Sequence, residues 1–432
     1  MNQKLSLTCL IIFIFTIAYL LCKPKEILYE AKWDDTNTLA ITIDGEISTT
    51  FPTTNLYEGI VSCITGTGTV SWNGSKWMLT TSGITKGSTK CNIKFNKLKA
   101  FAGTILANNE VKTPTTTPGS AISASDEALL ASAEDDYGIS YYFRGAVTNN
   151  YVEFANKCWR IVRIGGDNTV KLILHNDNTA GVSNSCSSSN NNATAAFAHY
   201  NGSTYTSAFN SLAYYGYDNA YVGFMYGTPG SSTYEATHAN TNKSTVLTNL
   251  ETWYNNNLKS YESVIDDNVF CNDKTVVTDT SYDPWNFSPA PTGLGYGKNK
   301  TYYGATQRIL SSSNTAGGTG PSLKCNGELS KITSKIGLIT ADELTFAGYA
   351  AYTSGSTSYL LENATGAYWW SLSPTAFNGS FTYAWIVEGS SDKLHFMGLS
   401  SERGVRPYIS LKFSTKVLNG SGTSEDPYKV SM

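Results

Sequence analysis

Charge is scarce in this 432-residue chain, and long basic runs are missing from it. Only 15% of the residues are Asp, Glu, Lys or Arg, and the formal net charge is −3. Proteins that bind nucleic acid neutralise its phosphates with clustered Lys and Arg side chains. The composition therefore offers no electrostatic support for binding nucleic acid, and no such partner is expected.

Histidine is also rare, and close cysteine pairs are absent. The four histidines, at positions 175, 199, 238 and 395, lack the spacing of a three-ligand iron site. No C-x-x-C pair occurs, although zinc sites usually contain one. We therefore expect neither a metal site nor a cofactor.

Signatures of common catalytic sites are missing as well. The chain has no G-x-S-x-G motif, and the run GLGYGK at 293–298 lacks the spacing of a phosphate-binding loop. The adjacent acids at 135–136 and 266–267 lie in polar stretches typical of turns. Glycoside hydrolysis instead needs two carboxyl groups that flank the scissile bond. The sequence predicts no catalytic residue.

The longest uncharged run near the start of the chain extends from Leu5 to Cys22. As a helix these residues would cover ~27 Å, close to the thickness of a bilayer core. Leu21 is not the small residue that precedes a lipoprotein cysteine, and no A-x-A pattern marks a signal cleavage site. We expect an uncleaved anchor through residues 5–22, with a cleaved signal or a lipoprotein as alternatives. The protein would then be a single-pass membrane protein with its bulk outside the cell.

Six further cysteines lie beyond this run: Cys63, Cys91, Cys158, Cys186, Cys271 and Cys325. An even number without zinc spacing fits disulfides formed in an oxidising exterior. Cys63–Cys91 is the expected first pair because both residues fall in one predicted domain. For the other four, Cys158–Cys186 with Cys271–Cys325 is one of three arrangements. Free buried thiols are the alternative.

Changes of composition divide the chain into five parts. Short alternating runs and the Asp44-Gly45 turn predict strands in the first part after the anchor, and TPTTTPGSAISA at 113–124 reads as a linker. The parts are a membrane anchor or signal segment at 1–26, a small β-sandwich at 27–110, a linker at 111–124, a large domain at 125–412 and a tail at 413–432.

Helix signals within the large domain are local and few. A short helix is expected from Asp126, with acidic residues in its first turn. Ser244 caps a second helix, and the T-x-x-E box that begins at Thr340 opens a third. Many short strand-like runs surround these helices. The pattern predicts an α+β domain with much of its mass in loops.

Several ordered motifs in the large domain resemble surface proteins of Gram-positive gut bacteria. They include DDYGISYYFRGAV (135–147), FANKCWRIVRI (154–164), YWWSLSP (368–374) and GVRPYISLK (404–412). The W-x-L-S-P and G-V-R-P pair is similar to the signature of a C-type-lectin-like fold of the formylglycine-generating-enzyme kind. The resemblance covers about residues 125–430 and implies a C-type-lectin-like fold there. With the anchor and the β-sandwich predicted above, the expected fold is α+β: an N-terminal transmembrane helix, a small β-sandwich and a loop-rich C-type-lectin-like domain. No cysteine follows Cys325, so the reactive cysteine pair of the enzyme is missing.

The same resemblance implies that ligand contacts lie between the Trp motif and the G-x-R-P strand. Tyr383, Trp385 and His395 are the expected solvent-facing contacts in this interval, whereas Trp369, Trp370 and Arg406 are expected in the core. The motifs of calcium-dependent lectins are absent, and the Trp285-Asn286 pair is followed by Phe287 rather than by Asp.

The sequence thus predicts a membrane-anchored surface protein that binds an extracellular glycan or protein through an aromatic, polar face. Its many Tyr and Trp residues, 28 and 9, supply rigid contact area among adaptable Ser, Asn and Gly side chains. A cell-envelope or glycan-processing enzyme and a structural surface or assembly protein are the alternatives.

Overall fold

The computed structural model describes residues 39–54, 57–73, 75–83, 90–120, 122, 127–213, 217–325 and 327–431. The expected membrane segment at residues 5–22 lies outside these residues. Among the described residues, no helix is long and apolar enough to cross a membrane. Strands clearly outnumber helices there. The expected fold class, α+β with an N-terminal transmembrane helix, is therefore wrong, and the described chain is a β-rich fold.

The chain divides into two compact units between Leu98 and Lys99. The strands of the first unit are β1 (Leu39–Ile43), β2 (Glu46–Ser48), β3 (Tyr57–Cys63), β4 (Thr67–Trp72), β5 (Trp77–Ser82) and β6 (Cys91–Lys97). Four of them form a sheet in the order β2-β1-β6-β3, and β4 pairs with β5 as a separate hairpin. Along β6 the buried residues alternate with exposed ones, so that Ile93 and Phe95 face the core. Trp77 of the hairpin packs against Phe95 with 5.1 Å between ring centroids.

The second unit contains two large sheets. Its first strands are β7 (Lys99–Ala100), β8 (Ala128–Asp135), β9 (Gly138–Gly145), β10 (Tyr151–Phe154), β11 (Lys157–Ile164), β12 (Val170–Asn176), β13 (Thr206–Ala208), β14 (Met225–Tyr226), β15 (Asn242–Lys243), β16 (Asn268–Cys271) and β17 (Thr301–Tyr302). Its later strands are β18 (Lys331–Ser334), β19 (Tyr368–Phe377), β20 (Thr382–Glu388), β21 (Lys393–Gly398), β22 (Glu402–Gly404), β23 (Tyr408–Leu411), β24 (Lys416–Asn419) and β25 (Tyr428–Val430).

Nine strands form the first sheet, in the order β23-β12-β11-β10-β25-β24-β7, with β9 on β11 and β8 on β9. Six strands form the second, in the order β13-β22-β19-β20-β21, with β17 on β19. The Trp motif and the G-V-R-P motif meet in this second sheet, where Trp369 pairs with Gly404. A Cβ atom at Gly404 would lie 2.7 Å from the Phe197 ring, so only glycine fits at this crossing.

Helices are short and few in the described part of the second unit. They are α1 (Phe101–Asn108), α2 (Tyr234–His238), α3 (Thr245–Asn257), α4 (Gly304–Ile309) and α5 (Ala341–Phe346), with 3-10 turns at Ser188–Asn190, Asn219–Val222, Lys259–Tyr261 and Glu328–Ser330. The predicted N-cap of α3 is confirmed, because the Ser244 side chain accepts from the Leu247 N–H. The predicted capping box at Thr340 and Glu343 is also present in α5.

One helix expectation is wrong. A short helix was expected to start at Asp126 and run into Ala128-Leu129-Leu130, but these three residues begin strand β8, which pairs with β9 from Ala128↔Gly145 to Asp135↔Gly138. Ala and Leu are good helix formers, but intrinsic propensity amounts to less than about 1 kcal/mol per residue, and pairing with the aromatic strand β9 overrides it. Tyr142 of β9 then packs against Phe346 of α5 at 4.7 Å.

The three disulfides of the expected set are present: Cys63–Cys91, Cys158–Cys186 and Cys271–Cys325. Cys63 and Cys91 lie directly opposite each other on β3 and β6, so this bond staples neighbouring strands. The core positions predicted for Trp369, Trp370 and Arg406 are confirmed, since all three are at most 1% exposed. Arg406 donates to the carbonyls of Leu174 and Leu360, at 2.8 and 2.7 Å.

Candidate functional site

The three residues expected to contact a ligand lie on two neighbouring strands, but they are not equally accessible. Tyr383 and His395 are half-buried, on β20 and β21. Trp385, by contrast, is fully buried, and its expected solvent-facing position is wrong. It belongs to the main hydrophobic core of the second unit. Because side chains alternate along a strand, Tyr383 and Trp385 lie on the same face of β20. Alternation alone does not determine how much of that face other elements cover.

Six half-buried rings lie near Trp385 and form what we call the aromatic face: Trp285, Phe287, Tyr352, Tyr383, His395 and Phe396. Phe396 lies at its centre. The Phe396 ring centroid is 4.4 Å from that of Trp285, 5.1 Å from that of Tyr383 and 5.0 Å from that of His395. Tyr352 contacts the His395 ring edge-on at 5.1 Å. The face therefore joins two strands to two loops.

Trp285 is the ring that ties the loops together. Its indole Nε1 donates to the Tyr352 hydroxyl at 3.1 Å and to Asn314 Oδ1 at 3.2 Å. Beneath it, the buried Tyr302 ring stacks on Phe287 with centroids 4.7 Å apart. The indole is thus held by hydrogen bonds and by rings on several sides, which fixes its orientation.

Sequence reasoning missed Trp285, Phe287 and Tyr352. The W-N-F run at 285–287 was considered only as a failed calcium-lectin motif. Its two aromatic residues within a polar, proline-containing stretch were the available signal, because exposed loops rarely carry large rings without a reason.

Polar groups around the aromatic face are mostly neutral. Asn378 Nδ2 donates to the Tyr383 hydroxyl at 3.1 Å, and burial raises the pKa of Tyr383. His395 Nδ1 lies 3.0 Å from the Phe396 carbonyl oxygen. One cation, Lys300, lies 6.0 Å from the centre of the Phe287 ring. The Asp283 carboxylate accepts from the Phe287 N–H at 3.0 Å, so the face offers rings, amides and hydroxyls with one cation and one carboxylate close to Phe287.

No protein-family model, curated protein or solved structure matches this chain. Two places in the second unit are candidate sites: the aromatic face and a cavity lined by charged side chains.

The second site is a cavity of about 50 Å³, which we call the charged cavity. Ten ionisable side chains with a formal charge at pH 7 line it: Asp135, Asp136, Arg163, Asp167, Lys171, Asp273, Arg308, Lys324, Asp342 and Glu343. A cavity of this size holds a few water molecules. No group of three or more His, Cys, Asp or Glu side chains within the described ranges could hold a metal ion.

Two arginines organise the carboxylates of the cavity. Arg163 donates from Nε to Glu343 Oε1 and from Nη1 to Asp135 Oδ2, each at 2.8 Å. Arg308 binds both oxygens of Asp342, at 2.7 and 2.9 Å, and its Nη1 donates to Asp273 Oδ2 at 2.6 Å. Planar guanidinium groups suit such paired contacts.

Both carboxylate oxygens of Glu343 accept hydrogen bonds from further groups of the protein. Its Oε1 also accepts from the Tyr408 hydroxyl at 2.8 Å, and its Oε2 accepts from the Thr340 N–H and hydroxyl, each at 3.1 Å. Burial alone would raise the pKa of Glu343, but Arg163 and the nearby Lys171 lower it overall. The ionised carboxylate is therefore a fixed structural acceptor.

Lys171 is the exception in this cavity. It is 4% exposed, and its ammonium donates to Asn268 Oδ1 at 3.0 Å and to the Ser410 hydroxyl at 3.4 Å rather than to a carboxylate. Burial and the neighbouring Arg163 lower the pKa of Lys171 to about 8.

Proposed function

We propose that this chain is an extracytoplasmic binding protein and that its aromatic face binds an uncharged extracellular ligand, in the first place a glycan. The observation that carries this proposal is the group of six half-buried rings around Phe396. Rings that stay partly accessible and are held in position are typical of binding surfaces, because aromatic side chains provide rigid contact area with little loss of conformational entropy.

The chemistry of the face suits a saccharide. The apolar faces of sugar rings pack on Trp and Tyr, while nearby amides and hydroxyls bind the sugar hydroxyls. Trp285 and Phe396 supply the rings, and Asn314 and Tyr352 supply the polar groups at the same place. An extracellular protein that presents a small polar loop is the other ligand that such a surface accommodates.

The three disulfides support an extracytoplasmic location. Disulfides persist in oxidising compartments and are rare where thiols are kept reduced. All six of the cysteines beyond the N-terminal run are paired, and each bond closes within one unit.

An enzyme that uses the charged cavity is less well supported. General acid–base catalysis needs a carboxyl group that can take up and release a proton near neutral pH. Asp135, Asp273, Asp342 and Glu343 each accept hydrogen bonds from a guanidinium group. Such partners stabilise the ionised form and occupy the oxygens that a substrate would need.

The test is a glycan and protein array probed with the purified chain, followed by titration of any ligand found. We expect Trp285→Ala to weaken binding about tenfold or more, because central aromatic residues dominate binding energy. Tyr352→Phe removes only the hydroxyl that accepts the indole N–H and should cause a smaller loss. Phe413→Ala is the matched control, since Phe413 is 67% exposed and lies outside the aromatic face.

Salt dependence separates the two sites. Binding at the aromatic face should change little between low and high salt, whereas binding through the charged cavity should weaken as salt screens its charges. Ligand binding that survives Trp285→Ala but is lost with Lys324→Ala, at the cavity, would refute the proposal.

A further inference from the structure

Lys171 and Asn268 form a buried pair between two separate sheets. Lys171 lies on β12 of the nine-stranded sheet, and Asn268 lies on β16, which pairs only with β18. The side chains are 4% and 5% exposed, and Lys171 Nζ is 3.0 Å from Asn268 Oδ1. A primary amine is thus held against a carboxamide, away from bulk water.

Hydrogen bonds at both polar atoms of the Asn268 side chain hold the amide beside the amine. Asn268 Nδ2 donates to Thr169 Oγ1 at 3.1 Å, which directs the carbonyl side of the amide toward Lys171. The rings of Phe270 and Tyr408 lie 5.7 and 5.9 Å from Lys171 Nζ. These rings limit the movement of the amine and exclude water from one side of the pair.

We propose that Lys171 and Asn268 become joined by an intramolecular amide bond between Nζ and Cγ. The amine attacks Cγ, the bond from Cγ to Nδ2 breaks, and the Asn268 nitrogen leaves. The lysine ammonium and the carboxamide give a secondary amide and an ammonium ion, so atoms and charge balance without any other reactant. Holding the two groups together replaces a bimolecular encounter, which accounts for a reaction that free amides do not undergo.

The surroundings favour each stage of this step. Burial lowers the pKa of Lys171 to about 8, so a substantial fraction of the amine is neutral and nucleophilic in mildly alkaline conditions. Both residues line the charged cavity, whose volume of about 50 Å³ has room for the departing ammonia. Glu343 and Asp135 line the same cavity and place negative charge near the ammonium that is released.

A second pair, between the buried Lys274 and the half-buried Asn240, provides an internal comparison. Lys274 Nζ donates to Asn240 Oδ1 at 2.6 Å, but it also donates to the carbonyls of His238 and Met225, at 2.6 and 3.2 Å. All three ammonium donors are therefore used, and the pair does not line the charged cavity. Burial lowers the pKa of Lys274 to about 7, below that of Lys171, so the two pairs are separated by their geometry and not by the proton affinity of the amine. On that geometry, the bond should form at Lys171 and not at Lys274.

The bond would link residues 97 positions apart. It would tie the small sheet of β16 and β18 to the large sheet by a link that reducing agents do not break. This distinguishes it from the neighbouring Cys271–Cys325 disulfide, which starts from the same strand.

Mass spectrometry of the purified full-length chain tests the proposal. After reduction, alkylation and trypsin digestion, we expect a branched peptide that joins the segment of Lys171 to that of Asn268, with the mass of one ammonia missing. Trypsin should then fail to cleave after Lys171. Lys171→Arg and Asn268→Ala should each abolish the branched peptide. Asn257→Ala is the matched control, because that amide donates to the Trp253 carbonyl and should leave the bond intact.

The wild-type digest decides the matter even where a variant fails to fold. Recovery of a linear peptide that ends at Lys171, together with an unmodified Asn268 peptide, from folded protein would overturn the proposal. Loss of ammonia from Asn268 without a branched peptide would also overturn it, because that result indicates a succinimide. A branch at Lys274 and Asn240 instead would contradict the geometric argument.

Discussion

The buried ion pair of Arg144 and Glu127 is the clearest test of what stabilises the second unit. Both side chains have 0% exposure. Arg144 Nη1 also donates to the carbonyls of Thr345 and Phe346, at 3.0 and 3.1 Å, and Glu127 accepts from the Thr116 N–H at 2.6 Å. The pair therefore joins the segment before β8 to strand β9 and to the end of α5.

Glu127→Gln keeps the shape of the side chain but leaves the buried charge of Arg144 unpaired. Burial raises the pKa of Glu127, but hydrogen bonds from Thr116, Arg144 and Thr115 outweigh it and lower the pKa from 4.5 to about 2. Each tenfold change in proton affinity corresponds to about 1.4 kcal/mol, so the ionised group contributes about 3 kcal/mol. Loss of one partner of a buried pair costs roughly 3–5 kcal/mol. We expect the free energy of unfolding at pH 7 to fall by roughly that amount.

The lowered pKa of Glu127 also predicts how the stability difference between wild type and Glu127→Gln changes with pH. Because the pKa of Glu127 is lower in the folded state, its contribution is complete above about pH 4.5 and is lost as the pH falls toward 2. Denaturant titrations at pH 7 and pH 3 should show the difference between wild type and Glu127→Gln shrinking by about half at the lower pH. Glu134→Gln, at an exposed pair with Lys324, is the control and should change little. Equal stability of Glu127→Gln and wild type at pH 7, or a difference that pH leaves unchanged, would refute the reasoning.

Two further predictions concern the stability effects of a glycine with positive φ and of a disulfide. Gly145 has φ +75°, and a Cβ atom there would lie 1.7 Å from the Glu127 carbonyl oxygen, so Gly145→Ala should lower the melting temperature and cost more than about 1 kcal/mol. Gly103→Ala, in helix α1 with nothing within 4 Å, should be neutral or stabilising in the same assay. Replacing Cys158 and Cys186 by Ser opens a loop with a sequence separation of 28 residues. Denaturant titrations without reductant should show a loss of roughly 3–4 kcal/mol in the free energy of unfolding. A loss smaller than ~1 kcal/mol would contradict the loop-entropy argument.

Features set by local chemistry were predictable from the sequence. The Ser244 cap and the Thr340 box depend on side chains that reach backbone groups two or three residues away, so a short segment specifies them. The Cys63–Cys91 pair followed from domain composition, but the other two pairs were only one of three arrangements. Their geometry depends on which strands lie side by side, and spacing along the chain does not determine that.

The short helix expected from Asp126 was wrong because its outcome depends on a distant partner strand and not on local chemistry. Its Ala and Leu residues are compatible with either helix or strand, and the partner strand β9 decides between them. The prediction that Trp385 faces solvent was wrong for a related reason. Strand alternation assigns a side chain to one face of a sheet, but the burial of that face depends on residues that are distant in the chain, among them those of the main core.

The aromatic face could not have been assembled from the sequence. Trp285, Tyr352 and Phe396 lie in three separate segments, and the contacts between them exist only after the two loops fold over β20 and β21. The charged cavity has the same origin, since Arg163 and Glu343 are 180 positions apart. Charge pairing over such distances leaves no periodic signal, because each partner alone resembles an ordinary polar residue.

The two sites differ in what they leave available for a partner. In the charged cavity, Arg163 and Arg308 each bind two carboxylates, and these hydrogen bonds fasten β8, β11, α4 and α5 to one another. Breaking them to bind a substrate would expose buried charge and cost several kcal/mol before any gain. At the aromatic face a ligand has only to displace water from rings already fixed by Trp285 and Phe396, and no existing ion pair has to break. We therefore expect a partner of this chain to bind at the aromatic face and not in the charged cavity. Its affinity should depend on the apolar area that it buries more than on ionic strength.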